Sequence, residues 1–342
     1  MFKKIDFPQS WSTLTWEQIC MCWQAKIRYG GNPDVARCAA LLCLMDCSVE
    51  GRRKNLYNST TGEMLYNLRD KDGHKWIVTP RELSQMAKAI IPWFDYPYGD
   101  PGEPEERDDK GVIVKRRREP VGGYVGPMRD ALQLTVDKLK IGYKTFALPQ
   151  VACNNLTWQQ YRSLQVLSPL LFQENGEENV LEVQSKFLAH ILTPRSMALF
   201  ATAGGSIRFR PHYEFHYDTE QADGLIPYWR KRLSSGSSGS LYSNEYCQRQ
   251  ALFHICFQVY QTALAYYSVT YPLLFTSTGK KDPLRDALTG EVGTINTVMK
   301  YAGYADQQQV YDSNLPFVLD ILNTMAKEAK EVEKMNRKAK KK

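Results

Sequence analysis

Several features common in other proteins are missing from this 342-residue chain, and each absence excludes something. It has no run of about eighteen apolar residues, the length that crosses a bilayer as a helix. Its densest apolar stretch, Ala251 to Phe275, is broken by His254, Gln258, Gln261 and Pro272, so no membrane span is expected. Lys3 and Lys4 are not followed by the apolar core of a signal peptide, and a cytoplasmic location is expected. Neither HExxH nor GxSxG occurs. The stretch "TSTGKKD" (276–282) contains Gly279-Lys280, but a P-loop requires a glycine at position 274, which is Leu274. No catalytic motif stands out, so an enzyme is not expected, and no cofactor is called for.

Paired CxxC units are also missing. Of eight cysteines, five fall between residues 20 and 47; Cys20 and Cys22 form only CxC, and Cys38, Cys43 and Cys47 lie among Ala and Leu. Reduced, buried thiols fit this pattern better than structural zinc or disulfides. Charged residues make up 24% and hydrophobic residues 43%, enough to build a core. At this length more than one structural unit is expected.

The phrase "LTWEQ" (14–18) returns as "LTWQQ" (156–160), each a few residues after Pro-Gln. In both, a threonine (Thr15, Thr157) can accept from a free backbone amide of a helix start while a glutamine (Gln18, Gln160) three residues on reaches back, a capping box. Leu14 with Ile19, and Leu156 with Tyr161, are spaced as hydrophobic staples. The likeness extends further: a short segment precedes each phrase, "KKIDFPQ" (3–9) and "YKTFALPQ" (143–150), and an apolar helical run follows, Val35 to Met45 and Val180 to Leu192. Thr79-Pro80-Arg81 and Thr193-Pro194-Arg195 come next, read as helix starts. The order predicts a diverged duplication, with a hairpin over 53–80 inserted in the first copy, its turns at Thr60-Thr61-Gly62 and Lys71-Asp72-Gly73.

The fold class expected is α+β, predominantly helical: two related strand-plus-helices substructures followed by a helical C-terminal part. The predicted segments are a first repeat-like unit (1–94), an exposed charged Pro/Gly loop (95–127), a second repeat-like unit (128–233), a Ser/Gly linker (234–240) and a helical C-terminal part with a basic tail (241–342). Helices are predicted over 243–271, 291–301 and 306–335. The last has an apolar stripe expected to dock on 243–271, and beyond it "KEAKEVEKMNRKAKKK" carries charge all round. Partner contact is assigned to Leu315, Val318, Leu322, Met325, Lys334, Arg337, Lys338 and Lys340.

One strand, "SIRFRPHYEFHYD" (206–218), alternates so that Arg208, Arg210, His212, Glu214, His216 and Asp218 share a face. A metal-dependent enzyme could use His212, Glu214 and His216, but a half-buried strand with a polar outer side explains the pattern without a metal. The basic loop "KRRR" (115–118) and the basic tail are alternatives for binding nucleic acid.

The phrase "LTWEQ", the long helical C-terminal portion and "YDSNLPFVLDILNTMAKEAKEVEKMNRKAKKK" resemble tail-morphogenesis proteins of tailed phages and prophages, tail-assembly chaperones in particular. The resemblance covers the first 45 and last 100 residues or so. It implies a non-enzymatic protein that binds and shields a long helical tail (tape-measure) protein, in an infected or lysogenic cell or on the virion. The length and the strand-containing middle depart from that family, so the same resemblance accommodates a structural tail component.

Overall fold

The structure is a computed structural model, in which the described residues are 7–49, 56–57, 64–97, 106–107, 113–115, 134–142, 144–172, 177–195, 199–201, 207–209, 217–234, 244–275 and 291–339. A 3-10 turn, Trp11–Thr13, leads to α1 (Trp16–Arg28) and α2 (Pro33–Leu44). Strands β1 (Ser48–Val49), β2 (Leu56–Tyr57), β3 (Met64–Arg69) and β4 (Lys75–Val78) form one antiparallel sheet in which β3 pairs with the other three. Helix α3 (Pro80–Ile90) follows, then β5 (Glu106–Arg107) and β6 (Ile113–Lys115), a short antiparallel pair inside the segment read as a loop.

Strands β7 (Lys138–Ile141) and β8 (Lys144–Ala147) precede α4 (Trp158–Leu170) and α5 (Glu177–Ile191). Strand β9 (Thr193–Pro194) joins β8, and β10 (Leu199–Ala201) pairs with β11 (Ile207–Phe209). The remainder is helical: α6 (Thr219–Gly224), α7 (Ile226–Ser234), α8 (Asn244–Thr270), α9 (Pro272–Phe275), α10 (Glu291–Ala302), α11 (Gln307–Tyr311) and α12 (Leu315–Ala339). The class is therefore α+β and mostly helical. The chain divides into two compact units, residues 1–135 with 235–258, and 136–234 with 259–342. Residues of the expected 241–342 part thus contribute to both.

The first unit is built on aromatics. Trp11 lies 5.5 Å from both Trp23 and Trp93 and 6.0 Å from Phe94. Each indole N–H in this group has an acceptor, which buried indoles require. Trp11 donates to the Trp93 carbonyl (3.0 Å), Trp93 to the Pro8 carbonyl (2.8 Å) and Trp23 to Gln258 Oε1 (2.9 Å). The Gln258 amide in turn donates to the Pro97 carbonyl. Arg37, buried, pairs with Asp95 and with Asp34 at 3.0 Å.

In the second unit Phe146, Phe187, Leu188, Ile191, Leu192, Trp229, Tyr260 and Tyr267 are buried. Phe146 packs 5.1 Å from Trp229, and Phe187 meets Tyr260 edge-on at 5.7 Å. Tyr267, deep in this core, donates to the Ala152 carbonyl at 2.6 Å.

Both repeated phrases form capping boxes. Gln18 N–H donates to Thr15 Oγ1 (3.3 Å) and Thr15 N–H to Gln18 Oε1 (2.9 Å); the corresponding distances at Gln160 and Thr157 are 3.2 and 3.0 Å. A 3-10 turn precedes each, and the staple residues Leu14, Ile19, Leu156 and Tyr161 are all buried. The two tryptophans differ: Trp158 is buried against Tyr161, whereas Trp16 is half-buried.

The parallel ends there. Thr79-Pro80-Arg81 starts α3, with Glu82 completing the box, but Thr193-Pro194 is strand β9 rather than a helix start. Position 196 is serine where position 82 is glutamate, so the second site departs from the capping-box pattern of Glu or Gln at that position. Phe7 to Gln9 are not a strand, and Lys3 to Asp6 lie outside the described residues. The inserted hairpin is present as β3–β4, with its turn at Lys71-Asp72-Gly73; Thr60 to Gly62 lie outside the described residues. The helix read as continuous over 306–335 breaks at Asp312–Asn314. Pro316, which has no N–H to donate, suits the first turn of a new helix and not the interior of a continuous one, and Ser313 gives its carbonyl to the Trp158 N–H at 2.8 Å.

The two glutamines should differ in consequence. Among the described residues Gln18 bonds only to its cap, whereas buried Gln160 also donates to the His190 carbonyl (3.0 Å) and to Thr193 Oγ1 (3.1 Å). Gln18→Ala is expected to cost about 1 kcal/mol and Gln160→Ala about 3 kcal/mol, because the second strands buried polar partners. Urea denaturation of the two variants checks this; equal losses would contradict it.

Candidate functional site

The segment to which partner contact is assigned from the sequence is the end of α12, and its geometry follows from how the helix begins. Leu315 N–H donates to the Leu156 carbonyl at 2.9 Å, and Asn314 bridges Thr157, so the helix starts against the capped end of α4. Leu315, Val318, Leu319 and Leu322 are buried. This corrects the expected contact surface: Leu315, Val318 and Leu322 are core of the second unit and have no face left for another chain. Helix α12 packs on α4, α9 and α10, and from the expected 243–271 stretch Tyr271 donates to Asp320 at 2.7 Å. Burial, and then this bond to a carboxylate, raise the Tyr271 hydroxyl pKa.

Further along, Met325, Ala326 and Ala329 are half-buried, and the Tyr301 hydroxyl reaches Glu328 at 2.5 Å. That hydrogen bond raises the Tyr301 pKa. From Glu331 to Lys338 every residue is exposed, on all sides of the helix. Val332 is 51% and Met335 62% exposed, an apolar continuation of the buried stripe with nothing of the described chain upon it. Lys334, Arg337 and Lys338 stand in solvent beside them, with Arg337 bonded to Glu333; Lys340 lies outside the described residues. Sequence periodicity located this helix but did not single out Val332 and Met335, which only the loss of burial identifies.

The strand 206–218 is less informative. Ile207–Phe209 pairs with β10, Asp218 caps α6 by accepting from Glu220 N–H, and Arg210, His212, Glu214 and His216 lie outside the described residues. Tyr217, at its end, is buried and shares a 2.7 Å hydrogen bond with His190 Nδ1, while Asp223 lies 3.4 Å from His190 Nε2. Both ring nitrogens are thereby occupied, and burial lowers the His190 pKa despite Asp223. Burial raises the Tyr217 hydroxyl pKa as well.

All eight cysteines are free thiols. Burial, with Glu17 adding for Cys20 and Cys43 for Cys22, pushes Cys20 and Cys22 up to about 12, and burial raises Cys38, Cys43 and Cys47 as well. None of these five has the depressed pKa of a nucleophile. Asp70, Asp72 and His74 place ligand atoms within 4.8 Å of one another at the β3–β4 turn. Asp70 accepts from both the His74 backbone (2.8 Å) and its ring (2.9 Å), so the cluster is accounted for as an aspartate-closed turn. Comparison with protein-family models, with curated proteins and with solved structures found no match. No helix among the described residues is long and apolar enough to cross a membrane.

His254 supplies a test of the first unit. Its ring stacks on Trp23 at 4.7 Å, its Nδ1 is buried without a hydrogen-bond partner among the described residues, and burial with a contribution from Lys26 depresses its pKa to about 4. The unfolded chain takes up that proton near its ordinary value of about 6.5. Stability is therefore full above that pH and falls as pH drops toward 4, by up to about 3 kcal/mol. His190 contributes with the same sign. In urea melts at stepped pH, His254→Phe should flatten the acid loss; parallel curves for the two proteins would contradict this.

Proposed function

We propose that this chain is a non-enzymatic assembly protein of phage or prophage tails, engaging a long helical tail protein through the exposed end of α12. The observation that carries the reading is the emergence of α12 from the core as an intact helix. Val332 and Met335 lie on its surface, flanked by charges of both signs. An amphipathic helix end of this kind can pair with another helix, which would cover the apolar pair while the charges set orientation. The resemblance to tail-assembly chaperones supplies the partner class; a structural tail component would use the same surface.

The second reading, nucleic acid held by the tail, rests on exposed Lys334, Arg337 and Lys338. One truncation separates the two. Residues 330–338 are all exposed, so removing 330–342 should change the melting temperature by no more than about 2 °C. Co-purification with the product of the long helical reading frame that this proposal places beside its gene should be lost. Loss of nucleic acid retention alone, or absence of such a neighbour, would contradict the proposal.

A further inference from the structure

The exposed end of α12 carries its charges in an order that the helix itself does not use. Counting back from Val332 in heptad steps reaches Met325, half-buried, and then Val318, buried, so Val332 holds a position that the core has already taken up in the same helix. With that position as a, Met335 falls at d, Glu331 and Lys338 both fall at g, and Ala329 and Asn336 both fall at e. Val332 and Met335 are thus a short apolar seam with an anion and a cation on one flank and no charge on the other. Lys330, Glu333, Lys334 and Arg337 take b, c and f positions on the far side. Glu333 is bonded to Arg337 and Glu328 to Tyr301, whereas Glu331 and Lys338 have no ion-pair partner among the described residues.

A second helix can lie on this seam in either direction. Antiparallel, a positions face d positions and each g faces a g of the other helix. For two copies of this chain, Val332 of each then lies on Met335 of the other, Glu331 of each meets Lys338 of the other, and Ala329 lies beside Asn336. The twofold axis repeats every contact, which is what a self-complementary interface requires. In a parallel pair each g faces the e five residues on in the other helix, which sets Glu331 beside Asn336 and leaves Lys338 without an anion. Only the antiparallel order satisfies both charges.

We propose that a second copy of this chain docks on the end of α12, the two helix ends packing antiparallel with Val332 against Met335 and Glu331 against Lys338. The seam is small, so the pairing is weak and belongs to high local concentration. Nucleic acid is a poorer occupant of this face, since its phosphates would meet Glu331 and gain nothing from Val332 and Met335. The pairing occupies the surface assigned above to a helical tail protein and competes with that partner, yet it follows from residue order alone and stands without the tail-assembly reading.

Sedimentation equilibrium of the full chain tests this. The average mass should rise from monomer at about 10 µM toward dimer at about 500 µM. Glu331→Lys alone and Lys338→Glu alone should each raise the dissociation constant at least about fivefold, because like charges then meet twice. Net charge by itself would make the Lys338→Glu protein pair more tightly, so its weakening isolates the local contact. Combining both substitutions in one chain should restore pairing, and so should mixing the two single variants, whose charges complement one another. Val332→Gln with Met335→Gln keeps good helix formers at exposed positions and should leave a monomer at every concentration. The proposal is overturned if the full chain stays monomeric at about 500 µM, if the double swap or the mixture fails to restore pairing, if the Val332→Gln, Met335→Gln protein still dimerises, or if nuclease treatment removes the mass increase. A monomeric result leaves the co-purification experiment with the tail protein standing, and loss of that partner leaves this one standing.

Discussion

The exposed end of α12 depends on burial at its beginning. Leu315, Val318, Leu319 and Leu322 are inside the second unit, and the first amide of the helix is held by the Leu156 carbonyl. Burying four such side chains contributes several kcal/mol, at roughly 1.5–3 kcal/mol each. A helix of a dozen residues alone is marginal in water, so the segment after Ala329 stays helical because it continues one already nucleated in the core. Among the described residues the Tyr301–Glu328 bond is the last side-chain tie to α10 before the helix enters solvent. Removing that seating would dissolve the surface, not merely move it.

The two copies of the capping phrase show how one local solution serves different tertiary purposes. At Thr15 the box is at the surface, and the Trp16 N–H finds Thr135 Oγ1 at 2.9 Å; at Thr157 the equivalent N–H of Trp158 finds Ser313. The second copy has become the seat of α12. Gln160 is drawn inward to satisfy α5 and β9, which accounts for its near-complete burial while Gln18 is only half-buried.

Elements governed by local chemistry were legible in the sequence. The caps at Thr15, Thr79 and Thr157, the β3–β4 hairpin and the helix α8 follow from neighbouring residues alone. Features that depend on distant partners were not. Thr193-Pro194 looks like a helix start until β8 supplies an open edge. The break between α11 and α12 needs the amide of Trp158, more than 150 residues earlier in the chain, to explain it. Of the candidate site, periodicity found the stripe, but the point at which burial ends, between Leu322 and Val332, is a tertiary fact.

Amide hydrogen exchange along α12 tests most directly whether its end is a surface kept for a partner. In the free protein, amides of 317–326 should exchange slowly, with the second unit, and those of 331–338 at least about a hundredfold faster, since opening there disturbs no core. Bound to the helical partner, 331–338 should slow while 317–326 stays unchanged. Uniform slow exchange to Lys338 in the free protein, or no slowing in the complex, would contradict the account.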